Sequence, residues 1–129
     1  MPWIYEQTTG KLFTPTGIYA ATGYAGGNCG KNPEGKNNPD MQNVKSIGPL
    51  PCGLYRMGEV IQQSHLGPFA IPLFPDPNNE MFGRGSFYVH GDTNPPGNAS
   101  EGCIIQARVI REKMYSSDDK QIQVVATKE

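Results

Sequence analysis

The chain has 129 residues, a length that supports a single hydrophobic core without metal ions or disulfides as staples. It contains 16 Gly and 12 Pro, whereas the AVILMFWYC residues make up only 36%, and this composition argues against a helical bundle. The formal net charge is −1 and basic residues do not cluster, which argues against nucleic acid as a partner. We therefore expect one mainly β domain spanning residues 1–129.

No stretch of the sequence is apolar for long enough to span a membrane, since the longest uninterrupted apolar run is residues 18–21. The N-terminus lacks the basic segment and apolar stretch that mark a Sec signal peptide. If the protein acts outside the cytoplasm, we expect another export route.

Short strands are predicted wherever apolar residues alternate or β-branched residues cluster between turn residues. The clearest case is an N-terminal β-hairpin, in which two such runs flank a turn containing Gly10. The predicted strands are residues 3–7, 12–13, 17–22, 54–60, 86–90 and 121–126. Together they predict a β-sandwich or a curved mixed sheet.

Two segments carry little strand or helix pattern. Residues 23–46 are rich in Gly, Asn, Pro and Lys, and this composition predicts a long flexible loop. Residues 61–85 contain short apolar runs broken by four prolines, so we interpret them as edge strands or loop. We expect both segments to form walls of a binding site.

One helix is predicted, in the C-terminal half of the chain. Apolar side chains at positions 103, 107, 110 and 114 follow the spacing of one helical face. Ser100 stands where an N-cap residue is expected, so the helix should begin there and carry Cys103 in its first turn.

Cys103 and His90 form the candidate catalytic pair. A helix N-terminus and a nearby imidazolium both stabilise a thiolate, so we expect an ion pair in which His90 later protonates a leaving amine. The N–H groups of Gly102 and Cys103 at the helix start are the predicted oxyanion donors. Asp92 either orients His90 as the third member of a triad or is an ordinary turn residue.

These residues also have plain structural explanations. A buried Cys is usually a small apolar side chain, and a His at a strand end is usually a hydrogen-bonded structural residue. Their joint occurrence, His-Gly followed by Ser-x-Gly-Cys, favours catalysis. A zinc site built from His65, His90, Asp92 and Cys103 lacks the usual ligand spacing, so no metal or cofactor is expected.

The sequence contains three cysteines, an odd number, so at least one either stays a free thiol or pairs between chains. Cys29 and Cys52 either form a disulfide or are two free thiols. Cys103 is a free thiol in either case.

The pair His90-Gly91 and the run Ser100-Glu101-Gly102-Cys103 resemble the signature of the YkuD-type L,D-transpeptidases. More of the chain resembles the L,D-transpeptidase-related effectors of type VI secretion systems. The motifs that carry this wider resemblance are Trp3-x-Tyr5, Thr9-Gly10-Lys11-Leu12, Tyr24-Ala25-Gly26, Asn37-Asn38-Pro39, Ile47-Gly48-Pro49-Leu50-Pro51-x-Gly53-x-Tyr55 and Arg84-Gly85-Ser86-Phe87-x-Val89-His90-Gly91-Asp92.

The resemblance implies an L,D-transpeptidase-like domain in which Cys103 attacks peptidoglycan stem peptides, with Gly91 and Tyr24 among the substrate contacts. The implied reaction removes the terminal D-alanine of a tetrapeptide or exchanges it for another D-amino acid. The resemblance also implies an antibacterial toxin that acts in the periplasm of a target bacterium and has a cognate immunity protein as a further partner.

Two departures from the family pattern leave recognition of the substrate carboxylate unassigned. Glu101 stands where many L,D-transpeptidases have a second His, and Ile105 stands where they have an Arg. Arg84 or Arg108 is the predicted replacement, because a guanidinium suits a carboxylate. Each is also explained as a surface charge.

Two other functions remain as alternatives. A noncatalytic peptidoglycan-binding module would keep the fold without the activity, and the departures at Glu101 and Ile105 favour it. A general cysteine peptidase is a weaker alternative, because papain-like enzymes place the Cys before the His and sortases separate the two residues more widely.

Overall fold

The computed structural model describes residues 2–128, which form ten β-strands and one α-helix. The strands are β1 (Trp3–Glu6), β2 (Lys11–Phe13), β3 (Tyr19–Thr22), β4 (Tyr24–Ala25), β5 (Gly53–Met57), β6 (Ile61–Ser64), β7 (Gly67–Pro75), β8 (Phe87–His90), β9 (Ile104–Ile105) and β10 (Gln121–Val125). The helix α1 is Arg108–Ser116, and short 3-10 turns occupy Asn28–Gly30, Pro33–Gly35 and Pro39–Met41.

The strands form one curved sheet that is nearly closed into a barrel. Their order is β3-β2-β1-β10-β5-β7-β8-β9-β4, and β6 pairs with β7 outside this path. The pairs β1–β10 and β8–β9 are parallel and the others are antiparallel. Because only Gly23 separates β3 from β4, the first and last strands of this order are consecutive in the chain. The prediction of a mainly β fold with one helix is confirmed.

The hydrophobic core consists of buried side chains from the sheet and from α1. In β1 the alternation of a strand turns Trp3 and Tyr5 inward, where both side chains are buried. Helix α1 packs against β7 and β8 and buries Met114. Other buried members of the core are Leu12, Leu50, Tyr55, Ile71, Val89, Ile104, Ile122 and Val124.

The six strands predicted from sequence occur as β1, β2, β3, β5, β8 and β10, with ends that differ by a few residues. The N-terminal hairpin turns where expected, and Gly10 adopts a φ of +77° there. Alternating burial is thus a dependable signal in this chain wherever one face of a strand meets the core.

The interpretation of residues 61–85 as edges or loop is wrong for much of the segment. Strand β7 has nine residues and lies inside the sheet, between β5 and β8. The prolines remove backbone N–H donors from β7 but do not prevent the strand from pairing. The carbonyl of Pro72, for example, still accepts a hydrogen bond from the Gly58 N–H at 2.8 Å.

Residues 23–46 are mostly loop, as predicted, but the loop is ordered by hydrogen bonds and not flexible. The segment contains β4 and the three 3-10 turns. Backbone hydrogen bonds hold it, from the Gly27 N–H to the Ile47 carbonyl at 2.7 Å and from the Asn37 N–H to the Ala25 carbonyl at 2.9 Å. Irregular backbone of this kind satisfies its polar groups locally and needs no apolar periodicity.

The predicted helix starts too early. Residues 104–105 form β9, parallel to β8, and the helix begins only at Arg108. The β-branched Ile104 and Ile105 are both buried in the sheet, and that burial outweighs the helical spacing. Ser100 is therefore not an N-cap, and the helix does not carry Cys103.

All three cysteines are free thiols, so a Cys29–Cys52 disulfide is not formed. Within residues 2–128, no helix has the length and apolar character needed to cross a bilayer.

Candidate active site

Cys103 and His90 line one cavity of about 570 Å³. His90 ends β8, and Cys103 directly precedes the parallel strand β9, whose Ile105 is paired with His90. Parallel pairing thus brings together residues that are thirteen positions apart in sequence. We call this space the Cys103 cavity; its other lining residues include Cys29, Lys45, His65, Leu66, Arg84, Tyr88 and Glu101.

The His90 ring is fixed by its own loop. Its Nδ1 lies 3.0 Å from the carbonyl oxygen of Gly91. Since a carbonyl only accepts, Nδ1 carries the proton, and Nε2 of the neutral ring holds a free lone pair. The side chain is buried, and this burial is the main reason that the pKa of His90 falls below its ordinary value, with the charge of Arg111 adding to the effect.

Cys103 is held beside the N-terminal half of β8. Its Sγ accepts a hydrogen bond from the Tyr88 N–H at 3.3 Å. Burial raises the pKa of the thiol to about 11, although the Tyr88 N–H and the charge of Arg84 favour the thiolate. The resting pair is therefore a thiol and a neutral imidazole, and the expected ion pair is wrong. The reason is burial, together with the absence of a helix N-terminus at this Cys.

Ser100 holds the turn that presents Cys103. Its hydroxyl accepts hydrogen bonds from the N–H groups of Gly26 at 2.8 Å and Gly102 at 3.0 Å, and it donates to the Cys103 carbonyl at 2.6 Å. The Gly102 N–H is thus already paired, which removes it from the predicted oxyanion donors. Ser100 and Gly102 therefore position the Cys, and the Ser100 hydroxyl is committed to the turn.

The role of Arg84 differs from the predicted one. Its guanidinium is buried and makes four hydrogen bonds, all to backbone carbonyls. The acceptors are Gln42, Gly48, Pro49 and Glu101, at 2.6–3.2 Å. Both terminal nitrogens are fully used, so Arg84 clamps two chain segments together and does not bind a substrate carboxylate. Gly102 allows this clamp, because a Cβ there would lie 2.7 Å from Arg84 Nη2.

No hydrogen bond joins Asp92 to His90, whose Nδ1 is paired with the Gly91 carbonyl. Its carboxylate accepts hydrogen bonds from the Tyr24 hydroxyl and from the N–H groups of Thr93 and Gly97. Burial alone would raise the pKa of Asp92, but these bonds outweigh it and lower the pKa. The triad interpretation is therefore wrong, and Asp92 with Tyr24 organises the loop that follows β8.

Three of the predicted substrate contacts line a second cavity of about 530 Å³. Leu66, at the turn between β6 and β7, lines both cavities, so they are neighbours. We call the second space the α1 pocket; its lining includes Tyr24, Gly91, Asp92, Gln106, Arg108 and Arg111. Arg108 Nε forms a half-exposed ion pair with Glu112 at 3.2 Å.

Sequence reasoning missed one cationic side chain of the Cys103 cavity, that of Lys45, which follows the last 3-10 turn. His65, which the sequence offered only as a zinc ligand, lies between β6 and β7 and lines the same cavity. Both belong to segments whose patterns were weak, so only the fold assigns them to the site. Among residues 2–128, no group of three or more His, Cys, Asp or Glu side chains is placed to hold a metal ion.

A family model for the Tlde1 domain matches residues 24–128. The match runs from β4 through β10 and includes every residue that lines the Cys103 cavity. No curated protein and no solved structure matches the chain. The chain therefore belongs to the Tlde1-domain family of type VI secretion effectors with L,D-transpeptidase-like activity.

Proposed function

We propose that the protein is a cysteine acyl-transfer enzyme that removes the terminal D-alanine of peptidoglycan tetrapeptides, or exchanges it for another D-amino acid. The observation that carries this proposal is the shared cavity of Cys103 and His90. The family match gives it a substrate class.

Acylation begins with a neutral pair. Sγ of Cys103 forms a bond to the carbonyl carbon that precedes the terminal D-alanine, while its proton moves to Nε2 of His90. The Gly91 carbonyl then faces an imidazolium and stabilises it through Nδ1–H. The C–N bond breaks, the proton passes from Nε2 to the departing amine, and D-alanine leaves a thioester on Cys103.

Deacylation reverses the proton path. Water, or the amine of a D-amino acid, attacks the thioester carbonyl and gives up a proton to Nε2. The C–S bond breaks and Sγ takes that proton, which restores the thiol. Water gives the shortened peptide and completes a carboxypeptidase reaction, whereas an amine gives an exchanged peptide.

Lys45 is the proposed partner of the substrate carboxylate. With Arg84 occupied by backbone carbonyls, the other basic side chains that line the Cys103 cavity are Lys45 and His65. Lys45 is exposed, and a flexible ammonium suits the carboxylate of a terminal D-alanine.

The proposed setting is the periplasm of a target bacterium, where stem peptides are accessible. The family implies delivery by a type VI secretion system. A toxin of this class requires a cognate immunity protein in the producing cell, which we propose as the protein partner.

The decisive measurement is release of D-alanine from purified tetrapeptide muropeptides, followed by mass spectrometry. The wild-type protein is expected to convert tetrapeptides to tripeptides, and Cys103→Ala to lose at least about 10³-fold in rate because the nucleophile is absent. Cys52→Ala is the matched control, since Cys52 lies outside the Cys103 cavity, and it should retain activity.

The same digest separates the alternative function. A noncatalytic peptidoglycan-binding module leaves every muropeptide mass unchanged in the wild-type protein. Unchanged release of D-alanine by Cys103→Ala would instead show that this thiol is not the nucleophile.

A further inference from the structure

The α1 pocket contains a buried donor that has no acceptor. Gln106 is 3% exposed, and its Nε2 has no hydrogen-bond partner among the described residues. The backbone of Gln106 is fixed on both sides, since its N–H donates to the His90 carbonyl at 3.0 Å and its carbonyl accepts from Arg111 Nε at 3.0 Å. Buried amide donors are nearly always paired in proteins. Gln106 lines the α1 pocket, so an acceptor bound there would give this donor a partner.

Arg111 adds a positive charge that is only partly used. Its Nε and Nη1 donate to the carbonyls of Gln106, Pro68 and Phe69. Nη2 makes no such bond and lies at the Gly91 wall, where a Cβ would be 2.9 Å away. No carboxylate of the described residues forms an ion pair with this buried guanidinium, so it offers an anion its charge and one free nitrogen, Nη2.

The start of α1 supplies further donors. Ala107, the N-cap residue, makes no side-chain cap, and the first turn contains no acidic residue. Ala107 and Arg108 both line the α1 pocket. The unpaired N–H groups and the positive end of the helix dipole therefore lie at the α1 pocket, which Gln106 and Arg111 also line.

We propose that the α1 pocket binds a carboxylate, held by Arg111 Nη2, the Gln106 amide and the first N–H groups of α1. This site is distinct from the Cys103 cavity, and it rests on the proposed function only for the choice of compounds. Asp92 also lines the pocket, so a free amino acid would find a partner for its ammonium as well. A peptide C-terminus would use the carboxylate donors alone.

Binding is tested by NMR titration of the Cys103→Ala protein, in which turnover cannot interfere. N-acetyl-D-alanine and D-alanine are expected to shift the backbone amides of Ala107, Arg108 and Val109 to saturation, whereas N-acetyl-D-alaninamide, which lacks the carboxylate, leaves them unchanged. Tighter binding of D-alanine identifies a free amino acid as the ligand, and tighter binding of N-acetyl-D-alanine identifies a peptide C-terminus. Both results support the site.

Variants connect the binding to the named donors. Gln106→Met keeps the side-chain volume and removes an unpaired amide, so it should weaken carboxylate binding about tenfold while the Tm stays the same or rises. Arg111→Lys should weaken binding at least as much. Lys113→Gln, on the exposed side of the same helix, removes a positive charge outside the pocket; it is the control and should bind normally.

The proposal is overturned by equal binding of the carboxamide, by shifts confined to the Cys103 cavity, or by unchanged affinity in both Gln106→Met and Arg111→Lys. None of these outcomes depends on catalysis. A failure here therefore leaves the proposed reaction at Cys103 untouched, and a failed muropeptide digest leaves the carboxylate site untouched.

Discussion

At the scale of single residues, burial decides the protonation of the reacting pair. Burial raises the pKa of Cys103 to about 11 and lowers that of His90, so both groups are neutral near pH 7. The sequence suggested a thiolate–imidazolium ion pair. It could not show otherwise, because the spacing of a His and a Cys carries no information on how deeply each is buried. What sequence did predict is the pair itself, since a strand His and a Ser-x-Gly-Cys motif seldom occur together by structural need alone.

This protonation state predicts the pH dependence of Cys103 alkylation. In a Cys29→Ser/Cys52→Ser protein, about one molecule in 10⁴ holds the thiolate at pH 7 when the pKa is about 11. Because the raised pKa shifts the profile toward higher pH, the alkylation rate with iodoacetamide should rise about tenfold per pH unit from pH 7 to 10, without a plateau.

The unfolded protein is the control, and in concentrated urea the rate should level off above an ordinary thiol pKa of about 8.5. A plateau below pH 8 in the folded protein would contradict the neutral pair and restore the thiolate–imidazolium ion pair.

At the scale of elements, the turn at residues 100–103, directly before β9, presents the nucleophile, and long-range contacts hold it. Ser100 ties this turn to Gly26, and Arg84 ties it to the carbonyls of residues 42–49. Local sequence pattern could not show these contacts, because the partners are 35 or more positions away. The helical spacing of apolar residues that included β9 gave a wrong prediction for the same reason. It contains no information on the pairing of the two buried isoleucines with a strand that is distant in sequence.

Arg84 therefore carries a stability prediction. Arg84→Lys keeps the charge but loses the planar fork, which leaves at least one buried carbonyl without a donor, and it should lower the free energy of unfolding by about 3 kcal/mol. Urea unfolding measures this change. Arg56→Lys is the matched control, because Arg56 is exposed on β5, and it should change stability by less than about 0.5 kcal/mol.

A different result would restore the predicted role of Arg84. If Arg84→Lys unfolds like the wild-type protein and instead raises KM for the tetrapeptide, the guanidinium acts on substrate and not on the backbone clamp.

At the scale of the whole molecule, the near-closure of the sheet brings the site together. Strand β4 pairs with β9, and β9 pairs with β8, so the segment after β3 forms a wall beside Cys103. Sequence pattern predicted six of the strands but not their order, since parallel pairs such as β1–β10 join opposite ends of the chain and leave no local signal.

Closure of the sheet leaves no room for a side chain at Gly23. A Cβ there would lie 1.7 Å from the Ile105 carbonyl oxygen and 2.8 Å from Gln106 Nε2, so the wall of β4 could not approach β9. Gly23→Ala should lower the free energy of unfolding by more than about 3 kcal/mol, because backbone and not a flexible side chain blocks the added methyl.

The test compares urea unfolding of Gly23→Ala and Gly85→Ala. A Cβ added at Gly85 would have no atom within 4 Å, and Gly85 has no positive φ, so its alanine variant should match the wild-type stability or exceed it by less than about 1 kcal/mol. Equal stability of the two variants would mean that β4 and β9 tolerate separation. The stability of the fold would then not depend on a tight fit between β4 and β9.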